Sequence, residues 1–340
     1  MKTIYLIIAL FVCNKVVAQN KNSVWVFGDS AGIDFSNVNV PMPIGTSIDG
    51  RGSCVSISDS IGNLALYAAT FSNGGYSTKI FNGNHQQIQG GDSIAGSAWY
   101  NELVLIPNPN NYSQYYIFSV GVDGFINGLY YTLIDISLNN GIGGVLSRNV
   151  QLDTVNNGDR ISAVKHGNGR DWWIISKYAD VSLTKHNRFY IHKVDTGGIT
   201  YIATQDFYNA TDAGFQKIIW HPSGSKFMNL NIAGYLEELN FDRCSGFIAV
   251  YRTMYTEIPA PYCCRYFWEG AYSKSGNVFY ASTTGINSQF SQGYLLQYNL
   301  LDSNPTLTVD TLDTFDTPIG TGVLRLAPDN KIYFSRAYES

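Results

Sequence analysis

A short apolar strand, a polar tight turn and an aromatic-rich strand recur six times along this chain of 340 residues. The copies open at Cys54, Leu103, Ala163, Lys217, Ala271 and Leu324, with turns centred near residues 62, 113, 169, 224, 276 and 330. A step of about 54 residues matches one four-stranded propeller blade with its loops; kelch-type blades run about 50. Each turn is built from Gly, Asn, Asp, Ser or Pro, the residues that accept hairpin dihedrals. Third strands follow most hairpins, as in Gly128–Asp135, Arg188–Asp195, Gly234–Asp242 and Gly293–Leu300, and outer strands follow at Phe247–Tyr251 and Thr306–Val309. A single blade cannot bury both its faces, so neighbours must cover them, and closing the ring leaves only short sheet edges. A β-sandwich has strands every 8–12 residues but no such long period. The expectation is an all-β fold: a β-propeller of four-stranded blades, six repeat units visible, six- or seven-bladed when complete.

The first nineteen residues stand apart. Lys2 precedes the apolar run Ile4–Val12, and Val16-Val-Ala18 offers small residues before a cut, which is the pattern of an export signal. Nine apolar residues are too few for a spanning helix, and no later segment reaches about 18. The reading is a signal peptide over 1–19, then one β-propeller domain over 20–340, secreted or at the outer cell surface, with no membrane span once the signal is removed. The sixth hairpin ends close to Ser340. Either Val24–Phe27 and Gly32–Phe35 complete its sheet, or the domain is truncated at its C-terminal end. A net charge of −4 argues against a nucleic-acid partner.

Four cysteines remain after signal removal. Export permits disulfides, and Cys244 with Cys263 or Cys264 is the favoured pairing, although four cysteines allow three connectivities. A zinc site is disfavoured, because Cys263 and Cys264 are vicinal and no His lies nearby. The triplet Gly28-Asp-Ser30 imitates an esterase nucleophile block. A serine needs a base, however, and the last histidine, His221, sits in a turn. Asp135, Asp195 and Asp242 recur at third-strand ends. A glycosidase pair of carboxylates is one reading; capping of the following turn is the preferred one. His166 and His221 occupy equivalent turns, which marks them as repeat residues. Surface Asp and Asn turns leave room for weak Ca²⁺ binding; no other cofactor and no metal site is expected. Trp99, Trp173 and Trp268 are the candidate ligand-binding aromatics, since adjacent strand residues point to opposite faces and one of a pair can stay exposed.

Several segments resemble a known family. Trp25-Val-Phe-Gly-Asp-Ser-Ala-Gly-Ile-Asp-Phe35, Cys54–Leu64, Ser162–Gly169, Phe241–Gly246 and Leu326–Tyr333 are similar, in order, to surface proteins linked to gliding motility and type IX secretion in Bacteroidetes. The resemblance implies a propeller-like N-terminal module followed by adhesion-type and sorting domains, neither of which is present here. It supplies no catalytic residues and implies a structural role for Cys244. The expected function is therefore a non-enzymatic binding or scaffold module, with a surface glycan or protein as partner, tied to adhesion or gliding. The alternative is a propeller hydrolase or lyase acting on extracellular polysaccharide, whose mark would be strand-borne carboxylates gathered at the central channel.

Overall fold

The computed structural model describes residues 22–50, 52–71, 77–96, 101–121, 127–155, 157–178, 187–207, 216–231, 234–255, 266–284, 292–316 and 322–336. It is an all-β propeller. Five blades are antiparallel four-stranded sheets, with strands side by side in sequence order. An N-terminal sheet precedes them, made of β1 (Val24–Phe27), β2 (Asp29–Asp34) and β3 (Met42–Asp49). The first blade contains β4 (Cys54–Ser58), β5 (Leu64–Phe71), β6 (Ser77–Asn82) and β7 (Ile94–Ala95). The second contains β8 (Leu103–Pro107), β9 (Gln114–Gly121), β10 (Gly128–Asp135) and β11 (Gly144–Gln151). The third contains β12 (Asn157–Lys165), β13 (Trp172–Tyr178), β14 (Asn187–Asp195) and β15 (Gly198–Phe207). The fourth contains β16 (Gln216–Trp220), β17 (Lys226–Asn231), β18 (Leu236–Phe241) and β19 (Ile248–Tyr255). The fifth contains β20 (Tyr266–Tyr272), β21 (Val278–Thr284), β22 (Gln292–Asn299) and β23 (Asp310–Asp316). The sixth repeat unit is a hairpin of β24 (Val323–Leu326) and β25 (Ile332–Ser335).

Strands form here because β-branched and aromatic residues alternate between two faces that are both covered. Each boundary between neighbouring sheets holds its own apolar cluster. Leu66, Ile80, Ile117 and Ile134 join the first and second blades. Phe118, Leu129, Ile174 and Val194 join the second and third. Trp173, Phe189, Phe227 and Phe241 join the third and fourth, and Met228, Phe267, Phe279 and Tyr298 join the fourth and fifth. Phe315 meets Phe334, with ring centroids 5.4 Å apart, between the fifth blade and the last hairpin. The faces of the inner strands thus become interfaces, while the outer strands β3, β11 and β15 keep exposed positions.

The N-terminal strands do not extend the last hairpin's sheet, as one sequence reading had it. They form their own sheet, and the ring closes by packing. Trp25 and Phe35 meet Tyr333 edge-on, at centroid distances of 5.8 and 5.5 Å. On the other side β1 lies along β4 in the opposite sense. The Val24 N–H donates to Ser58 Oγ (3.2 Å), Ser56 Oγ donates to the Val24 carbonyl (2.9 Å), and the Gly50 N–H donates to the Gly28 carbonyl (3.3 Å).

Tight turns leave the first strand of each blade at one end of the ring. His166 and His221 are equivalent there: each Nδ1 accepts an N–H from two residues on, Asn168 or Ser223, at 3.1 Å. The third-strand carboxylates cap turns at the same end. Asp135 accepts from the Ser137 N–H (2.9 Å), Asp195 from Gly197 (2.8 Å) and Asp242 from Cys244 (2.8 Å). Turn capping, not a catalytic pair, is therefore their role. Arg243 fastens two blades at this end. Its guanidinium donates to the carbonyls of Lys165 (2.8 Å), Ser223 (3.0 Å) and His166 (3.2 Å). Its own carbonyl accepts the Trp173 indole N–H (2.8 Å) and the Gly167 N–H (2.9 Å).

Candidate active site

The first strands of the blades stand around the central channel, and three neighbours each contribute a charged side chain to its wall. Lys217 lies on β16, Glu269 on β20 and Arg325 on β24. Lys217 and Glu269 hold the same place in their repeats, four residues ahead of the turn residues His221 and Ser273. Adjacent blades therefore bring them level, and Lys217 Nζ pairs directly with Glu269 Oε2. A bulge in β20 aims the carboxylate. Phe267 pairs with Thr283 and Glu269 with Ser282, so Trp268 is the extra residue. Bulges of this kind re-aim side chains next to active sites.

Glu269 is 3% exposed. Its Oε1 accepts the Gly270 N–H at 3.0 Å. Burial raises its pKa above the usual carboxylate range, and the Lys217 ammonium, that Gly270 hydrogen bond and the nearby Arg325 oppose the rise without cancelling it. Arg325 is water-accessible in the channel. Its guanidinium lies over the Trp25 ring, 4.8 Å from the centroid, and Nη2 donates to Asn22 Oδ1 at 3.2 Å. The same Asn22 oxygen accepts the Trp25 indole N–H at 2.9 Å. Enclosure by the channel wall lowers the Arg325 pKa, and the Glu269 carboxylate opposes that shift. Cys54, on β4, completes this side of the wall. Burial pushes its thiol up to about 11, so it is protonated at neutral pH and a poor nucleophile.

Two more carboxylates lie at the starts of first strands. Glu102 immediately precedes β8 and Asp159 sits within β12; both are fully buried. Asp159 accepts the Asn101 N–H. It lies in an irregular stretch, because β12 has two extra residues between Asn157 and Ile161 relative to β13.

The residues expected from sequence fare unevenly. Trp173 is 2% exposed and belongs to the cluster between the third and fourth blades, so it is a core residue and offers no ligand platform. Trp268 is half-buried at the bulge beside Glu269. Trp99 lies outside the described residues. Cys244 is a free, exposed thiol, which removes the pairing expected for it. Cys263 and Cys264 lie outside the described residues. Cys54 is free as well. Ser30 is exposed and donates to the Ile48 carbonyl (3.2 Å), with no hydrogen bond to a histidine among the described residues. Among the described residues, no group of three or more His, Cys, Asp or Glu could hold a metal ion, and no helix is long and apolar enough to cross a membrane.

Sequence reasoning missed Lys217, Glu269 and Arg325. The available signal was a charged residue at the matching place of two successive first strands for Lys217 and Glu269; Arg325, two residues ahead of Ala327, does not share that place.

No protein-family model and no curated protein matches the sequence. Solved structures do resemble the fold. A proposed 6-phosphogluconolactonase from Bacteroides uniformis aligns at a TM-score of 0.58 and 11% identity, covering 92% of this chain and 88% of that one. A second, from Bacteroides fragilis, aligns at 0.55 and 11%, covering 92% and 85%. A protein from Lactobacillus plantarum aligns at 0.52 and 10%, covering 91% and 85%. Likeness at this identity shows the shared fold. The expectation of a non-enzymatic binding or scaffold module is corrected to this extent: the fold is shared with two propellers named as proposed lactone hydrolases. The Lys217, Glu269 and Arg325 constellation is assembled from three repeats and forms no linear motif.

Proposed function

We propose that the protein is a hydrolase acting on a sugar-derived ester or lactone at the mouth of its central channel. The observation that carries this reading is the Lys217, Glu269 and Arg325 set on three consecutive first strands. A buried carboxyl whose pKa is raised toward neutrality suits a general base, and fixed cations beside it suit a developing oxyanion. Glu269 takes a proton from water as the water oxygen bonds to the carbonyl carbon. Lys217 and Arg325 stabilise the negative charge that forms on the carbonyl oxygen. When the intermediate collapses, the C–O bond to the ring oxygen breaks and that oxygen receives the proton from Glu269. The products are a carboxylic acid and a free hydroxyl. The lactonase names of the structural neighbours support this class of substrate.

The reading includes export. The Met1–Gln19 signal pattern, together with the resemblance to gliding-associated surface proteins, supports action at the outer cell surface. Partners other than substrate, and a weak Ca²⁺ requirement, stay proposals of the same order.

The test is a pH-stat assay of the purified chain on glucono-δ-lactone and its 6-phosphate, with and without chelator. Turnover above the spontaneous rate is expected, with a loss of about 10²–10⁴-fold in Glu269→Gln. Absence of turnover on both substrates, or full activity in that variant, would overturn the proposal.

A further inference from the structure

A second polar cleft opens at the other end of the ring, the end where the tight turns lie. It follows the seam between the N-terminal sheet and the first blade and has a volume of about 570 Å³, within the ~300–1,000 Å³ range of small-molecule sites. We propose that this cleft binds a neutral saccharide, separately from the catalytic channel.

His85 is the centre of the argument. Tyr67 is fully buried, and its hydroxyl accepts the Ser47 N–H at 3.2 Å. The hydroxyl proton then has one partner, His85 Nδ1, at 3.0 Å. With the Tyr67 hydroxyl proton directed at Nδ1, the ring hydrogen falls on Nε2, so His85, which lines the cleft, offers it a donor. The His85 backbone is left-handed, with φ of 63°, a conformation that a non-glycine residue holds only when its surroundings impose it. Those surroundings are on both sides of the seam. Ser47 Oγ donates to the His85 carbonyl (3.0 Å), and Asn82 Oδ1 accepts the N–H groups of Asn84 and Gln86 (3.0 Å each).

The other lining groups set the ligand's chemistry. Asp34 has one carboxylate oxygen held by the Ser36 N–H (2.7 Å) and hydroxyl (2.6 Å); Asp59 has one held by the N–H groups of Ile61 and Asn63 (2.9 and 3.0 Å), and its other accepts more loosely from the Asn63 side chain (3.3 Å). The Asn84 side chain makes no hydrogen bond within the described structure and is exposed. Ile44 and Ile136 supply apolar surface. Among the described residues no lysine or arginine lines the cleft, which disfavours phosphates and carboxylates. Carboxylate acceptors, an imidazole donor and an amide that does both, around an apolar patch, suit vicinal hydroxyls and the C–H face of a sugar ring.

The experiment is saturation-transfer NMR on the full chain with methyl glycosides of glucose, mannose, galactose and N-acetylglucosamine at millimolar concentration. The His85 ring resonances are followed alongside. At least one glycoside is expected to receive saturation and to shift the His85 signals. Asn84→Trp, at an exposed position, should fill the cleft and weaken binding by at least tenfold while leaving the fold and lactone turnover unchanged. Glu269→Gln should leave glycoside binding intact, which separates this proposal from the catalytic one. Silence from all four glycosides, or binding that survives Asn84→Trp or disappears in Glu269→Gln, would overturn it.

Discussion

Replacing Arg243 with alanine should loosen the joint between the third and fourth blades. Its guanidinium gives three hydrogen bonds to the carbonyls of Lys165, His166 and Ser223, at 2.8 to 3.2 Å. Bonds with one charged partner contribute roughly 1.5–3 kcal/mol each. The site is only half-buried, so water can reach part of what is exposed and the sum falls to about 2–4 kcal/mol. An unfolding entropy of roughly 2.1 cal/mol/K per residue over 340 residues amounts to about 0.7 kcal/mol/K. A loss near 3 kcal/mol then lowers Tm by about 4 °C. Differential scanning calorimetry of the purified chain reads this directly. Arg243→Lys provides the contrast: a lysine keeps the charge but reaches one carbonyl, so its Tm should fall between the other two. An alanine variant within about 1 °C of the parent, or a lysine variant indistinguishable from it, would refute the fan of hydrogen bonds as the source of the joint.

Gly276→Ala should be among the most destabilising single-methyl changes. A Cβ there would stand 1.7 Å from His221 Nε2 on a backbone with φ of 76°, and the expected loss is more than about 2 kcal/mol by urea denaturation. Cys244 should react rapidly with a thiol reagent in the native state, while Cys54, with its thiol pushed up to about 11, should react only on unfolding; mass-spectrometric counting of labels distinguishes the two. Glu269 has a raised native pKa, so the native state holds its proton over a window above the ordinary carboxylate value where the unfolded chain has released it. Stability from this group is present below the unfolded pKa and is lost as pH rises through that window. Glu269→Gln should therefore gain in Tm relative to the parent as pH rises above the ordinary glutamate value of about 4; a constant difference would contradict the assignment.

The propeller was legible because its signal is redundant. Six turns repeat at one period, and each failure to pack one blade is remedied by the next. The roles of His166, His221 and the capping aspartates followed from their equivalence between repeats. Trp173 was misread because alternation shows that two adjacent aromatics point apart; in a blade both directions lead to a neighbouring sheet. The pairing expected for Cys244 rested on closeness in sequence, and its thiol is free and exposed. Glu269 and Lys217 were hidden by the same redundancy. Each looked like an isolated polar residue in an apolar strand until the ring set the strands side by side, and the bulge at Trp268 has no signature in composition.

The seam beside Trp25 also bears on how the molecule assembles. Arg325 bonds to Asn22 across 303 residues, whereas a blade joins strands within roughly 50. Closing a loop about six times longer costs roughly 1.6 kcal/mol more in chain entropy. Contacts of such separation form late in folding. The blades can therefore zip in order along the chain, with circularisation as the final step. In reverse, the ring should part first at this seam, and amide hydrogen exchange should be fastest there, in β1 and β25, while the third and fourth blades are still protected.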